Sequence, residues 1–339
     1  MLRATTILTV SLALFVAACG GGDKEPTTSS DAVQNVPSEN GVRDNVKSAA
    51  NPTEADFPAA KGATLQELAD KMAAGPELAL ASSVFTTPGD SRMAFGMINP
   101  DGTPVYGSTA VYVAPNPGAP AEGPFLAPAD VLLTDKRYRS KQAATTADPF
   151  VAVYAADVKF PKKGPYSVLA ATKKSDGTLT GATGQVNVVT KEADPIPGVG
   201  EKAPKVHTDT LESAKGDVAK IDTRVPPSDM HDVDFADAVG KKPVALLFST
   251  PQLCQSRVCG PVTDVAMQLK AKYGDKIEFI HQEVYKNNDV NAGLRPPLEA
   301  FHLRTEPWLF VINKDGKITA RLEGSFGLSA FEQALKTAL

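Results

Sequence analysis

The sequence predicts a multidomain protein in which an all-β sandwich is followed by an α/β domain. Short apolar runs separated by turn residues fill the region 78–190, a pattern typical of a β-sandwich. From Asp232 the pattern changes to strands alternating with helices, which is typical of parallel crossover units. The chain has 339 residues, of which 42% are hydrophobic, and this is enough for two folded domains with their own cores.

Charge and cysteine content exclude several classes of protein. A formal net charge of −4 offers no basic surface, so we expect no nucleic-acid partner. Three cysteines are too few for a disulfide-rich secreted scaffold or for a four-cysteine zinc site. We expect no cofactor and no bound metal. Because the number of cysteines is odd, at least one of them has no partner for a disulfide within the chain.

The first residues of the chain predict an export signal. Arg3 precedes an apolar run over 7–18, and this run is too short to span a bilayer as a mature helix. We therefore predict a signal peptide over 1–18.

The segment Val16-Ala17-Ala18-Cys19 resembles the lipobox of bacterial lipoproteins. That resemblance implies a diacylglycerol on the thiol of Cys19, which would become the mature N-terminus and hold the protein on the cell membrane or outer membrane, facing the cell envelope. The alternative is an ordinary secretory signal with an incidental cysteine.

The next segment is predicted to be a flexible tether over 19–63, because it is rich in small and polar residues and lacks apolar periodicity. A short helix is predicted over 64–74, with Thr64 as its N-cap and Glu67 three residues later.

The all-β domain is predicted over 64–190, including that leading helix. Its pattern resembles the immunoglobulin-like modules of exported bacterial proteins. Its basic stretch around Tyr138 is interpreted as a solvated loop. The predicted strands are 92–98, 110–113, 151–155, 166–170 and 185–189.

A connector is predicted over 191–231, since this region is rich in proline, glycine and charge. Several histidines and aspartates lie in and just after this connector. We interpret them as part of a solvated linker rather than as a metal site. They are His207, Asp229, His231, Asp232 and Asp234.

The α/β domain is predicted over 232–339. Its helices are expected at 233–239, 261–273, 297–301 and 328–339, and its strands at 243–249, 277–284, 308–313 and 317–323.

Two segments of this domain carry a family resemblance: Cys259-Gly260-Pro261 at a helix start, and Arg304-Thr305-Glu306-Pro307-Trp308 before the last hairpin. Together with the element order, they resemble the thioredoxin fold. In that family Gly-Pro follows the nucleophilic cysteine, and a cis-proline opposite it shapes the substrate groove. The resemblance implies that Pro307 is this cis-proline and that partners are protein thiols and disulfides.

The chain departs from the thioredoxin motif in its second cysteine. Val262 occupies the usual resolving position, and the second thiol, Cys254, lies five residues before Cys259. The tryptophan that usually precedes the first cysteine is replaced by Leu253. The pair is therefore Cys-x4-Cys.

Pro261 suits the first turn of a helix, which places Cys259 at the helix N-terminus. Free amides and the helix dipole there favour a thiolate, and Arg257 adds positive charge. We therefore predict a lowered pKa for Cys259 as the reacting thiol, with Cys254 on the preceding loop as the resolving thiol.

We predict a membrane-anchored thioredoxin-like protein that acts as a thiol-disulfide oxidoreductase through Cys259, Cys254 and Pro307. One alternative is a binding or scaffold lipoprotein in which Cys254 and Cys259 form a structural disulfide. Another is a copper chaperone similar to the Sco family, with His281 or His302 as an extra ligand.

Overall fold

A computed structural model describes residues 31–143 and 150–339. The predicted signal peptide over 1–18 and the lipidation site Cys19 lie outside these residues. Within the described part of the chain, no helix is long and apolar enough to cross a membrane.

Fourteen strands and six α-helices make up the regular structure of the described residues. The strands are β1 Ala73–Ala74, β2 Glu77–Leu80, β3 Phe85–Thr87, β4 Asp90–Ile98, β5 Ser108–Ala114, β6 Glu122–Leu126, β7 Ala129–Val131, β8 Ala152–Lys159, β9 Gly164–Lys173, β10 Leu179–Thr190, β11 Val244–Phe248, β12 Glu278–Gln282, β13 Trp308–Ile312 and β14 Ile318–Glu323. The helices are α1 Val42–Ala49, α2 Leu65–Ala69, α3 Phe235–Ala238, α4 Cys259–Tyr273, α5 Pro296–Ala300 and α6 Leu328–Lys336.

The first ten strands form two sheets. One has the order β1-β10-β9-β5-β6, with β3 also paired to β10, and the other has the order β2-β4-β8-β7. Apolar side chains from both sheets, such as Phe95 and Val168, belong to one buried cluster. The five predicted strands of this region are confirmed, while the short strands β1, β2, β3, β6 and β7 were not predicted. An immunoglobulin-like topology stays a prediction.

The N-terminal segment differs from the predicted tether. Residues 31–62 contain α1 and several short helical turns. Val36, Val46 and Ala49 are fully buried in the same apolar cluster as the two sheets. The tether prediction is therefore wrong for these residues. A few apolar side chains pack the segment onto the core, and its mostly polar composition gives no sign of them. Next to it, α2 has the predicted Thr64–Glu67 capping box but ends at Ala69.

The last four strands form a separate sheet in the order β12-β11-β13-β14. β11 and β12 are parallel, whereas β13 and β14 are antiparallel to their neighbours. Alternate residues of β11 enter different apolar clusters: Leu247 lies with residues of α4 and α6, and Leu246 lies with residues of α3 and α5. The sheet is thus covered on both faces, and all eight elements predicted for this region are confirmed.

The two units share a continuous core. Side chains on the inner faces of α4 and α6, such as Val265 and Phe331, belong to the same cluster as the strands of the first two sheets. Asp130 of β7 also caps α6, since its carboxylate accepts hydrogen bonds from the main-chain N–H groups of Gly327, Ser329 and Ala330 at 2.7–3.0 Å.

Candidate functional site

Two cysteines lie where β11 passes into α4. The loop between them is tightly turned: the Cys254 N–H donates to the Thr250 carbonyl at 3.1 Å, and the Arg257 N–H donates to the Cys254 carbonyl at 3.3 Å. Arg257 has a φ of 59°, which reverses the chain just before the helix. The helix then begins at Cys259, as predicted, with Pro261 in its first turn.

The two thiols are free, and they differ in exposure and in acidity. Cys254 is 9% exposed, whereas Cys259 is fully buried. A hydrogen bond from the Cys259 thiol, with help from Ser256, lowers the pKa of Cys254 to about 6. Burial raises the pKa of Cys259 well above its usual range.

The prediction of a lowered pKa for Cys259 is therefore wrong. The residue does stand at the helix N-terminus, but Val258 and Phe150 pack around it and remove its sulfur from water. The cost of desolvating a thiolate outweighs the favourable helix dipole. Cys254 is the thiol that a partner can reach as an anion near neutral pH.

Glu306 interacts electrostatically with both sulfurs, and Pro307 follows it in the chain. The peptide bond between them is cis, as the family resemblance implied. Burial, followed by the negative charge of Cys254, raises the pKa of the Glu306 carboxyl to about 7, although a hydrogen bond with Tyr285 opposes this. The charge of Glu306 in turn contributes to the raised pKa of Cys259. A carboxyl that titrates near neutral pH therefore lies beside both sulfurs.

The start of α4 is covered by the loop that follows a single turn of 3-10 helix, Lys136–Tyr138. A Cβ on Gly260 would lie 2.6 Å from the Gln142 Cβ, so glycine is required for this close approach. The Ser140 N–H and hydroxyl also donate to the Asp264 carboxylate of α4 at 2.9 and 3.1 Å. The basic stretch around Tyr138, interpreted from sequence as a solvated loop, is thus packed on the helix that carries Cys259.

A groove of about 610 Å³ opens beside Cys254. One wall belongs to the β-rich unit and the other to the cysteine loop. Its lining includes Lys141, Gln142, Phe150, Pro251, Cys254 and Arg257. A partner that approaches Cys254 therefore contacts both units of the protein.

A buried polar network lies behind the cysteine loop. Ligand atoms of Asp222, His231 and His281 lie within 4.8 Å of one another, and this is the group of described residues that could hold a metal ion. The Asp222 carboxylate accepts a hydrogen bond from the Ser228 N–H at 2.7 Å, and it lies 3.1 Å from His231 Nε2 and 3.6 Å from His281 Nδ1. We therefore describe the cluster as a hydrogen-bonded network rather than as an open ligand set. Among the described residues, the buried His231 Nδ1 has no hydrogen-bond partner.

The positions of the histidines bear on two predictions, the solvated linker around His231 and the copper site. His231, interpreted as part of a solvated linker, is 1% exposed. His302 is exposed, and the metal-capable group contains neither Cys254 nor Cys259. The described residues thus give no support to a copper site built on the cysteine pair.

Sequence reasoning missed Glu306, Tyr285 and the Asp222–His281 contact. Glu306 could have been found from its place beside Pro307. The other residues are far apart along the chain, and no local pattern connects them.

Comparisons with known proteins give structural similarity only. No family model and no curated protein match the chain. A Chlorobium tepidum structure provisionally named thiol:disulfide interchange protein DsbE is 18% identical, and the alignment covers 42% of this chain and 98% of that chain with a TM-score of 0.31. A thioredoxin-family thiol:disulfide interchange protein from Chlorobium tepidum TLS is 15% identical, covering 42% and 97% with a TM-score of 0.30. MTB DsbF is 15% identical, covering 40% and 97% with a TM-score of 0.28.

Proposed function

We propose that this protein exchanges disulfides with polypeptide partners through Cys254 and Cys259. The observation that carries the proposal is the contact between two thiols whose pKa values are shifted in opposite directions. Cys254 has a lowered pKa of about 6 and borders an open groove, and Cys259 is enclosed directly behind it. This is the arrangement of an attacking thiolate and a resolving thiol.

The first step is attack by the Cys254 thiolate on a disulfide R–S–S–R′ of the partner. A bond forms between Cys254 and one partner sulfur, and the other partner sulfur leaves as a thiolate. These roles reverse the predicted order, in which Cys259 reacts first, because Cys254 is the more accessible and the more acidic member of the pair.

The second step is release of the mixed disulfide. Cys259 loses its proton, either to the departed partner thiolate or to the Glu306 carboxylate, and attacks the Cys254 sulfur. The pair becomes a disulfide and the second partner sulfur leaves, so that the partner disulfide gains two electrons and the cysteine pair loses two. The reaction is reversible, and the role proposed for Pro307, which follows a cis peptide bond, is to meet the partner backbone.

Trapping of the mixed disulfide tests these roles. In a Cys19→Ser background Cys254 and Cys259 are the only cysteines of the chain. With insulin as the disulfide probe, Cys259→Ser should accumulate a mixed disulfide through Cys254, whereas Cys254→Ser should accumulate at least about tenfold less because Cys259 is buried. Mass spectrometry under non-reducing conditions measures both products.

Gln255→Ser is the matched control, since Gln255 is exposed in the same loop and should leave exchange unchanged. Equal trapping by both cysteine variants would contradict the assigned order. Exchange by wild type no faster than by the double Cys254→Ser/Cys259→Ser variant would instead support a structural or scaffold role.

We also propose that the protein is anchored to the membrane through a lipid on Cys19. The proposal rests on the apolar run over 7–18 and the small residues before Cys19.

Cell fractionation of the full chain tests the anchor. Wild type should sediment with membranes and carry the mass of a diacylglycerol, while Cys19→Ser should be released into the soluble fraction. Retention of Cys19→Ser in the membrane fraction, with no lipid mass on wild type, would contradict the proposal.

A further inference from the structure

The buried network of Asp222, His231 and His281 leads toward Cys259. His281 lies on β12, and its Nδ1 is 3.6 Å from an Asp222 carboxylate oxygen. That oxygen also accepts a hydrogen bond from the Ser228 N–H at 2.7 Å. All three members of the network are at most 3% exposed, so none of these contacts is shared with bulk water.

The opposite side of the His281 ring faces the cysteine loop. Its Nε2 is 3.0 Å from the carbonyl oxygen of Ser249. A carbonyl oxygen can only accept, so Nε2 carries the hydrogen and donates it. The ring is thereby fixed with one nitrogen toward Asp222 and the other toward the main chain.

The Ser249 carbonyl and the Thr250 N–H belong to the same peptide group. This peptide group lies against the start of α4, because the Ser249 hydroxyl is 2.8 Å from the Thr263 hydroxyl, which donates to the Cys259 carbonyl at 2.7 Å. A hydrogen bond from the Thr250 main-chain N–H to the Cys259 sulfur acts to lower the pKa of Cys259. His281 and Cys259 are therefore joined through one peptide group, with the histidine on its oxygen and the sulfur on its N–H.

We propose that His281 is a positioning residue that stabilises the Cys259 thiolate through the Ser249–Thr250 peptide group. This inference rests on the proposed disulfide exchange, in which Cys259 must lose its proton to resolve the mixed disulfide. Hydrogen bonds in a chain polarise one another, so donation to the Ser249 oxygen strengthens the Thr250 N–H as a donor. A buried thiolate gains most from such a donor, because little water competes with it.

The charges around His281 favour this arrangement. Asp222 and His231 face it from the segment before α3, and Glu283 directly follows β12. Burial acts to lower the pKa of His281, but the Asp222 and Glu283 carboxylates outweigh it and raise the pKa above its usual value. A protonated ring holds its N–H toward Ser249 and adds positive charge behind the sulfur.

The test isolates Cys259 in a Cys19→Ser/Cys254→Ser background and follows its thiolate by ultraviolet absorbance against pH. This readout requires neither access to the sulfur nor exchange activity. His281→Phe should raise the pKa of Cys259 by about one unit, which is tenfold less thiolate at a given pH. His281→Gln keeps an N–H donor and should restore part of that shift.

The matched control is His302→Asn, an exposed histidine of the same unit whose positive φ suits asparagine. It should leave the titration of Cys259 unchanged. If His281→Phe does not fold, the Thr250 amide proton in wild type and in His281→Gln provides a second measurement. Its chemical shift should follow the titration of Cys259, and the change should be smaller in the variant.

An unchanged Cys259 pKa in the folded His281 variants, or a Thr250 amide that does not respond to the thiol, would overturn the inference. So would one equivalent of transition metal in purified wild type that is lost in Asp222→Asn, because the ring nitrogens would then be ligands. Failure of wild type to exchange disulfides would overturn the proposed function while leaving the measured coupling intact.

Discussion

At the scale of single residues, the reactivity of the site depends on an asymmetry between two neighbouring thiols. Cys254 and Cys259 are five positions apart, yet one borders a groove and the other is fully enclosed. The helix N-terminus alone would favour Cys259 as the thiolate. Burial reverses that order, because removing a thiolate from water costs more than the dipole returns.

Glu306 gives the site a pH dependence near neutrality. Its pKa is raised to about 7, mainly by burial, so the folded state holds this proton more tightly than the unfolded chain. Stability from this group is complete at pH values below the usual pKa of 4.5 and falls as the pH rises toward 7. Glu306→Gln imitates the protonated form and should remove that decline, so its free energy of unfolding should rise relative to wild type between these pH values.

Urea unfolding at several pH values measures this difference. Glu299→Gln is the matched control, because the Glu299 side chain is 61% exposed and should change little. A difference between Glu306→Gln and wild type that stays constant from pH 4.5 to 7 would contradict the raised pKa of Glu306.

Sequence alone located the cysteine pair and Pro307 but not their chemistry. The enclosure of Cys259 depends on Phe150, which is over a hundred positions away in the chain. The contact between Asp222 and His281 likewise joins two segments that no local motif connects. Exposure and charge at the site are products of tertiary packing, and short motifs carry no information on them.

At the scale of secondary structure, the start of α4 decides the shape of the site. Gly260 permits the main chain of Gln142 to approach within 2.8 Å of where a Cβ would be. Gly260→Ala would force the covering loop away from the helix. We expect this variant to lose about 1–3 kcal/mol of stability through overpacking.

Thermal or urea unfolding measures that loss, and exchange with insulin should change as well, since Gln142 lines the groove beside Cys254. Gly198→Ala is the control, because its new Cβ would approach no atom closer than 3.8 Å. Equal stability of the two alanine variants would show that the loop does not pack on the helix as described.

The elements of the C-terminal unit could be predicted because each has a strong pattern. β11 is a continuous apolar run, and α4 follows a Gly-Pro start. The N-terminal segment offers no such pattern, since α1 has eight residues and only Val46 and Ala49 of them are buried. Strands of two or three residues, such as β1 and β7, are set by their neighbours and not by their own sequence.

At the scale of the whole molecule, the two units share one core. Val265 and Phe331 of the C-terminal unit lie in the cluster that fills the β-rich unit, and Asp130 caps α6 from across the boundary. We therefore expect residues 31–339 to unfold in a single cooperative transition.

Calorimetry of the Cys19→Ser chain measures this cooperativity. We expect the calorimetric enthalpy of unfolding to equal the van't Hoff enthalpy. Asp130→Ala should lower the melting temperature of that single transition, whereas Asp229→Ala, which removes a 65% exposed side chain, should not. Two separate transitions in wild type would contradict a shared core.

A redox titration of Cys254 and Cys259 shows whether the two thiols form a working redox pair. The Cys19→Ser chain is equilibrated in glutathione or dithiothreitol buffers and alkylated. Mass spectrometry then gives the fraction of chains in which the pair is reduced. We expect a reversible two-electron transition at a potential of about −120 to −270 mV, the range of thiol–disulfide oxidoreductases. A pair that stays oxidised below about −300 mV, or one that forms no disulfide at any potential, would contradict this expectation.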